Sequence, residues 1–447
     1  MRTVVLVDGE HYPPVTRWAI ETASERGHEV VGAVFVGGIE KIDPRSLPDI
    51  GVQTRAAGDD RMAGLAAAIE AWAPDVVLDL SDEPVLGYRE RMELAAVALT
   101  HGVRYEGADF ELSPPGNFRG VDAPTLAVIG TGKRTGKTAI SGEVARLAAR
   151  RGDDPIVVAM GRGGPAEPQI AEAGSITLPA LIELVRSGQH AASDYLEDAL
   201  TTGVTTIGAR RAGGGLAGAP YVTNVRLAAE IAAERSPGLV VLEGSGAAVP
   251  PVAWDAGILV VPATAPAEYV GGYLGPYRLL RSDLVVVTMA TGPHAGSENL
   301  SALRSHVLRF LDESQLLVTD FVPVPLADVG DARVFFATTA PGGVAARQVE
   351  HLREAFRCEV VGWSARLADR VGLAEDLDAA QEYDVLLTEL KAAAVDIGVE
   401  RALARGAEVV FVDNRAVVIE GPSDLDTSLG EVIDLATERG AHRVQHP

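Results

Sequence analysis

The segment GTGKRTGKT, Gly130–Thr138, carries the residue types that hold a nucleoside triphosphate. Glycines let the backbone wrap N–H groups around phosphate oxygens, and a helix starting there adds the positive end of its dipole. A lysine then reaches the β- and γ-phosphates, and the next hydroxyl holds Mg²⁺. Lys137 and Thr138 occupy those two positions. The spacing departs from the usual phosphate loop at one place. Thr131 stands six residues before the lysine, where glycine is usual, with Gly130 one residue earlier. The exchange is tolerable if that turn avoids positive φ. Lys133 and Arg134 lie inside the loop, either on phosphate or solvated. With Gly132, Thr135 and Gly136 they complete an expected ATP site, in which Lys137 and Lys133 are candidate catalytic residues together with Glu243 and Arg162. The alternative is a glycine-rich strand–helix turn without a ligand.

A phosphate loop needs a carboxylate to order Mg²⁺, normally at the end of a neighbouring strand. Glu243 in GLVVLEGSG follows an apolar run and precedes Gly-Ser-Gly, so Thr138 and Glu243 are the expected metal pair. The alternative is a glutamate facing solvent at a strand edge. In MGRGGPAEP, Arg162 sits between Gly161 and Gly163, where a guanidinium suits a phosphate or carboxylate. GARRAGGGLAGAP, read as another loop, sets Arg210 and Arg211 before a triple glycine. Arg162, Gly163, Arg210 and Arg211 are therefore candidate substrate contacts, against the alternative of mobile surface loops. Asp8 and His11, in VDGEHYPPVTR, are further candidates at the carboxyl edge of a first strand, or else a turn capping the next helix. Val285–Pro293 lies where base contacts are often made. Glu389 and Lys391 either face the site or start a helix.

These residues need a scaffold. Short Val/Leu/Ile runs alternate with Ala-rich helical stretches, the pattern of an α/β protein with mainly parallel strands. Strands are expected at Thr3–Val7, Glu29–Val36, Asp75–Leu80, Thr125–Ile129, Ile156–Ala159, Leu239–Leu242, Gly257–Val261 and Leu284–Thr288. Four more are expected at Val334–Ala337, Glu359–Val361, Val385–Thr388 and Glu408–Val412. Helices are expected at Val15–Ala23, Met62–Trp72 and Tyr88–Thr100. The Pro-Pro-Gly of Leu112–Asp122 reads as a linker. The organisation is a P-loop NTPase core of mainly parallel strands at 121–330, flanked by an N-terminal Rossmann-like α/β domain at 1–120 and a smaller C-terminal α/β region at 331–447.

The 447 residues carry 62 Asp and Glu against 39 Lys and Arg, a net charge of −23. Such a field repels nucleic acid and anionic lipid, so neither is expected as a partner. Any phosphate site must be a local concentration of cations. Cys358, the one cysteine, excludes an internal disulfide. MRTVVLVDG lacks the features of a signal peptide, and no apolar run is long enough for a bilayer, so a cytoplasmic location is expected. The oligomeric state stays open, a homodimer included.

VVLVDGEHYPP, GTGKRTGKT, GRGGPAEP and EGSG together resemble the cyclic 2,3-diphosphoglycerate synthetase family, over nearly the whole chain. The phosphate loop and EGSG alone also resemble dethiobiotin synthetase, which is shorter and lacks the first and third blocks. The first resemblance implies an ATP- and Mg²⁺-dependent ligase that closes 2,3-diphosphoglycerate into a cyclic anhydride, releasing ADP and phosphate. The N-terminal domain then has a substrate-binding or covering role. The rivals are a P-loop kinase or ligase acting on another small phosphorylated or carboxylic acid, and a nucleotide-switch ATPase. Switches of that kind often carry a lysine five residues before the loop lysine; here Gly132 holds that place.

Overall fold

The structure is a computed structural model and describes residues 1–42, 47–115, 120–188, 191–291 and 295–445. Its contacts divide the chain into two compact units. The first comprises Met1–Phe118, Gly215–Ala219 and Pro266–Arg281; the second holds the rest.

In the first unit, strands β1 (Arg2–Val7), β2 (Glu29–Phe35), β3 (Thr54–Ala56), β4 (Val76–Asp79), β5 (Arg104–Glu106) and β6 (Glu111–Leu112) form one sheet of order β3-β2-β1-β4-β5-β6. All neighbours are parallel except β5 and β6. This is a Rossmann-like order, with helices α1 (Pro13–Glu25), α2 (Arg61–Trp72) and α3 (Tyr88–Thr100) as crossovers. β1 is apolar at every position from Val4 to Val7 because both of its faces are covered. Val4 and Leu6 join a core with Leu65, Ile69 and Leu94, whereas Val5 and Val7 join a second one with Ile20 and Ala33.

The second unit contains the phosphate-loop segment. Its strands are β7 (Thr125–Gly130), β8 (Pro155–Gly161), β9 (Gln169–Ala171), β10 (Thr206–Ala212), β11 (Val222–Thr223), β12 (Leu239–Glu243), β13 (Ala256–Pro262) and β14 (Leu284–Thr288). They continue as β15 (Leu316–Pro325), β16 (Arg333–Ala337), β17 (Glu359–Ser364), β18 (Val385–Thr388) and β19 (Glu408–Glu420). Among the described residues these strands make one sheet, ordered β11-β10-β8-β12-β7-β13-β14-β15-β19-β18-β16-β17, with β9 beside β10. The sheet is parallel apart from the pairs of β10 with β9 and β11, and of β15 with β19. Helices α4 (Lys137–Arg151), α5 (Leu178–Arg186), α6 (Asp194–Thr202) and α7 (Val225–Glu234) follow in the first half. Ile140 and Val144 of α4 pack on Leu126, Val128 and Val241 of the sheet, beside Leu429, Val432, Ile433 and Ala436 of the helix Leu425–Gln445. That last spacing is one face of a helix.

Two differences from the sequence pattern matter for the site. Gly208–Ala212, read as part of a loop, is the second half of β10. The run GARRA has no apolar string to announce a strand; its pairing with β8, Arg210 opposite Gly161, makes it one. The second difference is β15, which no apolar alternation signalled because Pro323 and Pro325 interrupt it. Its antiparallel ladder to β19 carries the sheet into residues 331–447. The linker expected at Leu112–Asp122 and the end of the segment Val285–Pro293 fall in part outside the described residues.

Candidate active site

Parallel strands bring their carboxyl ends to one edge, and the register fixes what meets there. β12 lies between β7 and β8, and Glu243 is level with Val128 and Ala159. The phosphate loop leaves β7 just beyond, at Gly130, and Arg162 follows directly on β8. Glu243 is 4% exposed. It accepts a hydrogen bond from the Thr138 hydroxyl at 2.7 Å.

The loop solves its own geometry. Gly136 has φ +92° and Arg134 φ +59°, the left-handed positions of the turn, whereas Thr131 has no positive φ. The missing glycine is therefore harmless, and the strain moves to Arg134. Gly136 has no room for a side chain either: a Cβ there would lie 2.5 Å from the Phe321 ring. The Thr288 hydroxyl donates to the Thr135 carbonyl at 2.7 Å and ties the loop to β14. No side chain caps the start of α4, which leaves its first N–H groups available to a ligand at the loop.

Lys137 is 7% exposed and donates to the Gly132 carbonyl at 2.9 Å and to the Thr135 hydroxyl at 3.2 Å. Burial lowers its pKa from 10.5 to about 8; Arg162 and Arg211 push the same way, against Glu243 and Asp194. Arg162 and Arg211 converge on Gly246. A Cβ there would lie 2.6 Å from one Arg162 nitrogen and 3.1 Å from one of Arg211. Arg211 donates to the Ser245 carbonyl at 2.7 Å and the Gly213 carbonyl at 2.6 Å, and its Nε is buried without a partner. Burial, and then the charge of Arg162, lowers its pKa. Among the described residues, no carboxylate forms an ion pair with Lys133, Arg134, Lys137, Arg162 or Arg211. In a chain of net charge −23, these are cations gathered without an ion pair, with the charges of Glu243 and Asp194 acting on Lys137 from beyond ion-pair distance.

The other candidates are placed differently. Arg210 neighbours Arg211 on a strand and so faces the opposite side of the sheet; its backbone pairs with Asn224 and Thr223. Gly163 is exposed, with open space where a Cβ would be. Asp8 and His11 lie in the first unit, joined at 2.8 Å. Asp8 also accepts from the backbone N–H groups of Glu10, His11 and Asp82, as a turn-forming aspartate does. Glu389 is buried and accepts from Thr338, Thr339 and Asn414, while Lys391 pairs with Glu197 at 3.1 Å.

Sequence reasoning missed α6. Asp194, Glu197 and Asp198 stand at one helical face, three and four residues apart, and Asp198 is 1% exposed beside Glu243. The acidic spacing of SDYLED was the available signal. Glu243 fits the carboxylate role that Mg²⁺ on ATP requires: Oε1 touches the Thr138 hydroxyl, and Oε2 is buried without a partner.

Strand, glycine loop, uncapped helix, buried lysine and a hydroxyl–carboxylate pair define a P-loop nucleotide-binding protein. The comparisons with known proteins narrow the class. The P-loop domain of cyclic 2,3-diphosphoglycerate synthetase matches residues 125–319, its N-terminal domain 2–113 and its C-terminal domain 325–415. The chain is 47% identical to the cyclic 2,3-diphosphoglycerate synthetase of Rubrobacter xylanophilus, covering 93% of this chain and 94% of that one. It is 42% identical to the protein of that name from Methanothermobacter thermautotrophicus, covering 97% and 96%. To the one from Methanothermus fervidus it is 39% identical, covering 98% of each. The chain belongs to the cyclic 2,3-diphosphoglycerate synthetase family.

Proposed function

We propose that the chain uses ATP to close 2,3-diphosphoglycerate into its cyclic anhydride, releasing ADP and phosphate. The observation that carries the reading is the cluster of Lys137, Arg162 and Arg211, none of which forms an ion pair with a carboxylate among the described residues. It is a seat for several phosphates at once. Family membership supplies the substrate.

In this reading an oxygen of one substrate phosphate attacks the γ-phosphorus, the bond to ADP breaks, and a phosphoanhydride forms. An oxygen of the second substrate phosphate then attacks the substrate phosphorus of that anhydride. The ring closes and inorganic phosphate leaves. No strong general base is needed, because phosphate oxygens are ionised near neutral pH. The residues act by position and charge. Lys137 and the first N–H groups of α4 hold the ATP phosphates. Arg162 and Arg211 hold substrate phosphates against each other, which makes the ring step intramolecular and lowers its entropic barrier. Thr138 and Glu243 would hold Mg²⁺, which supplies charge neutralisation at the β- and γ-oxygens. Lys133 and Arg134, exposed on the loop, are supplementary phosphate contacts. A cytoplasmic location belongs to the same reading, since ATP is the co-substrate.

The test is a phosphorus resonance experiment on purified protein with ATP, Mg²⁺ and 2,3-diphosphoglycerate. ADP, inorganic phosphate and a new cyclic anhydride resonance are expected in equal amounts. ADP release without the cyclic product would show that the chain phosphorylates rather than closes a ring, and would overturn the proposal.

A further inference from the structure

Three carboxylates share one face of α6, and their surroundings differ. Glu197 is paired with Lys391 at 3.1 Å. Asp194 is faced by the cations Lys137, Lys391, Lys133 and Arg162. For Asp198 the largest charge effects come from Glu243, Glu197 and Asp194, all acidic. Its carboxyl lies within hydrogen-bonding reach of the Glu243 carboxyl. Both oxygens of Asp198 and Oε2 of Glu243 are buried, and none has a donor among the described residues. At 1% and 4% exposure, water does not solvate either group. Two buried carboxyl groups facing each other cannot both be ionised unless a positive charge lies between them; without one, one of the two keeps a proton and donates it to the other.

We propose that Asp198 is a ligand of a divalent cation: its carboxylate and Glu243 Oε2 form a seat beside the Thr138 hydroxyl. The ligand set is all oxygen, as Mg²⁺ and Mn²⁺ prefer. Among the described residues no cluster of three or more His, Cys, Asp or Glu side chains is arranged for a metal. Two carboxylates and a hydroxyl leave the remaining positions to water and phosphate, the arrangement usual for Mg²⁺ at a nucleotide. The seat would then take the cation before ATP arrives, because its two carboxylates come from the protein alone. The proposal rests on Thr138 and Glu243 forming the metal side of the ATP site.

The probe is Mn²⁺ alone, titrated into the nucleotide-free full-length protein, with free Mn²⁺ read by electron paramagnetic resonance. Wild type is expected to bind, and Asp198→Asn to weaken binding by about 10–100-fold, the usual cost of a lost metal-site partner. In EDTA, Asp198→Asn should melt no lower than wild type, since a neutral amide of the same shape replaces a carboxyl that burial and Glu243 disfavour as an anion. On adding Mg²⁺ the melting temperature should rise for wild type and stay constant for the variant. If Asp198→Asn does not fold, Asp198→Ser replaces it under the same criterion. Wild-type affinity for Mn²⁺ in the variant, or no binding by wild type without nucleotide, overturns the proposal. Glu243→Gln separates the two levels. If it loses Mn²⁺ binding while Asp198→Asn keeps it, only Asp198 is removed from the seat. If neither loses it, the metal assignment of Thr138 and Glu243 falls as well.

Discussion

Helix α4 carries charge at its start and along its length, and the two regions are built in opposite ways. Midway along it, Glu143 accepts hydrogen bonds from Arg415 at 2.6 and 2.9 Å and from the Ala416 N–H at 3.3 Å. Arg146 pairs with Glu143 at 3.2 Å and with Asp413 at 2.9 Å. Burial alone would raise the Glu143 pKa; the Arg415 hydrogen bonds and the charges of Arg146 and Arg415 outweigh it and hold the pKa below the usual value. At the start of the same helix the hydrogen bonds of Lys137 among the described residues go to neutral oxygens, and Glu243 keeps one oxygen unpartnered there. One region pairs its charges with each other and ties α4 to β19, although Nε and Nη2 of Arg146 are buried without a hydrogen bond. The other leaves cations and carboxylates separately unsatisfied. Paired charge of the first kind ties elements together, while unpaired charge at the carboxyl edge of a parallel sheet is what the proposed phosphate site uses.

Substitutions should divide along that line. Lys137→Ala carries the largest effect: ADP release should fall by about 10³-fold or more, the scale of a lost transition-state contact. The melting temperature of the unliganded protein should not drop, since a buried ammonium is removed. Turnover at the wild-type rate would take the phosphate loop out of the chemistry. Glu143→Ala should do the reverse. Leaving Arg146 and Arg415 without their shared carboxylate should cost about 2–3 kcal/mol in denaturant unfolding, below the full cost of a buried pair because Arg415 is a third exposed. Activity per folded molecule should persist. A kinetic defect without loss of stability would merge the two regions. Arg211→Ala should raise KM for the phosphorylated substrate roughly tenfold, the value of one charge-assisted hydrogen bond. Arg210→Ala, on the opposite side of β10, should leave it unchanged. Equal effects from the two neighbours would contradict the strand placement of β10.

The region of unpaired charge was legible in the sequence because its parts are local. A glycine loop between a strand and a helix, and Glu243 at the end of an apolar run, announce themselves by spacing. Arg162 was legible for the same reason. The separation of Arg210 from Arg211 was not, because a strand pattern without apolar residues looks like a loop; only pairing with β8 reveals it. The region of paired charge left no trace, since Glu143 and Arg415 are 272 positions apart and nothing in either neighbourhood names the other. Asp198 shows the same limit: its significance is that Glu243 faces it, a contact that α6 and β12 make only in the folded sheet. The strand alternation carried the fold class, and β15 escaped because its prolines hide a strand that pairs at an edge-like junction.

The smallest expected effect tests the same comparison through protons. Lys137 has an ordinary value of 10.5 lowered to about 8 in the unliganded protein, first by burial and then by Arg162 and Arg211. Between those values the unfolded chain holds a proton that the folded chain lacks. Stability of the unliganded protein therefore gains from this lysine as pH rises across the window. ATP binding has the opposite sign, because the phosphates need the ammonium, and their charge raises its pKa once bound. The second-order constant kcat/KM for ATP should fall through a limb near pH 8, by about threefold between pH 7.5 and 8.5, while kcat at saturating ATP keeps its value. Above that limb, ATP binding should take up a proton, visible in calorimetry as a heat that changes with the ionisation enthalpy of the buffer. The paired charges around Glu143 offer no such uptake, so Glu143→Gln should leave both the limb and the proton uptake in place. A limb of equal depth in kcat would instead place the titrating group in the chemical step, and Lys137 would no longer act through ATP binding alone.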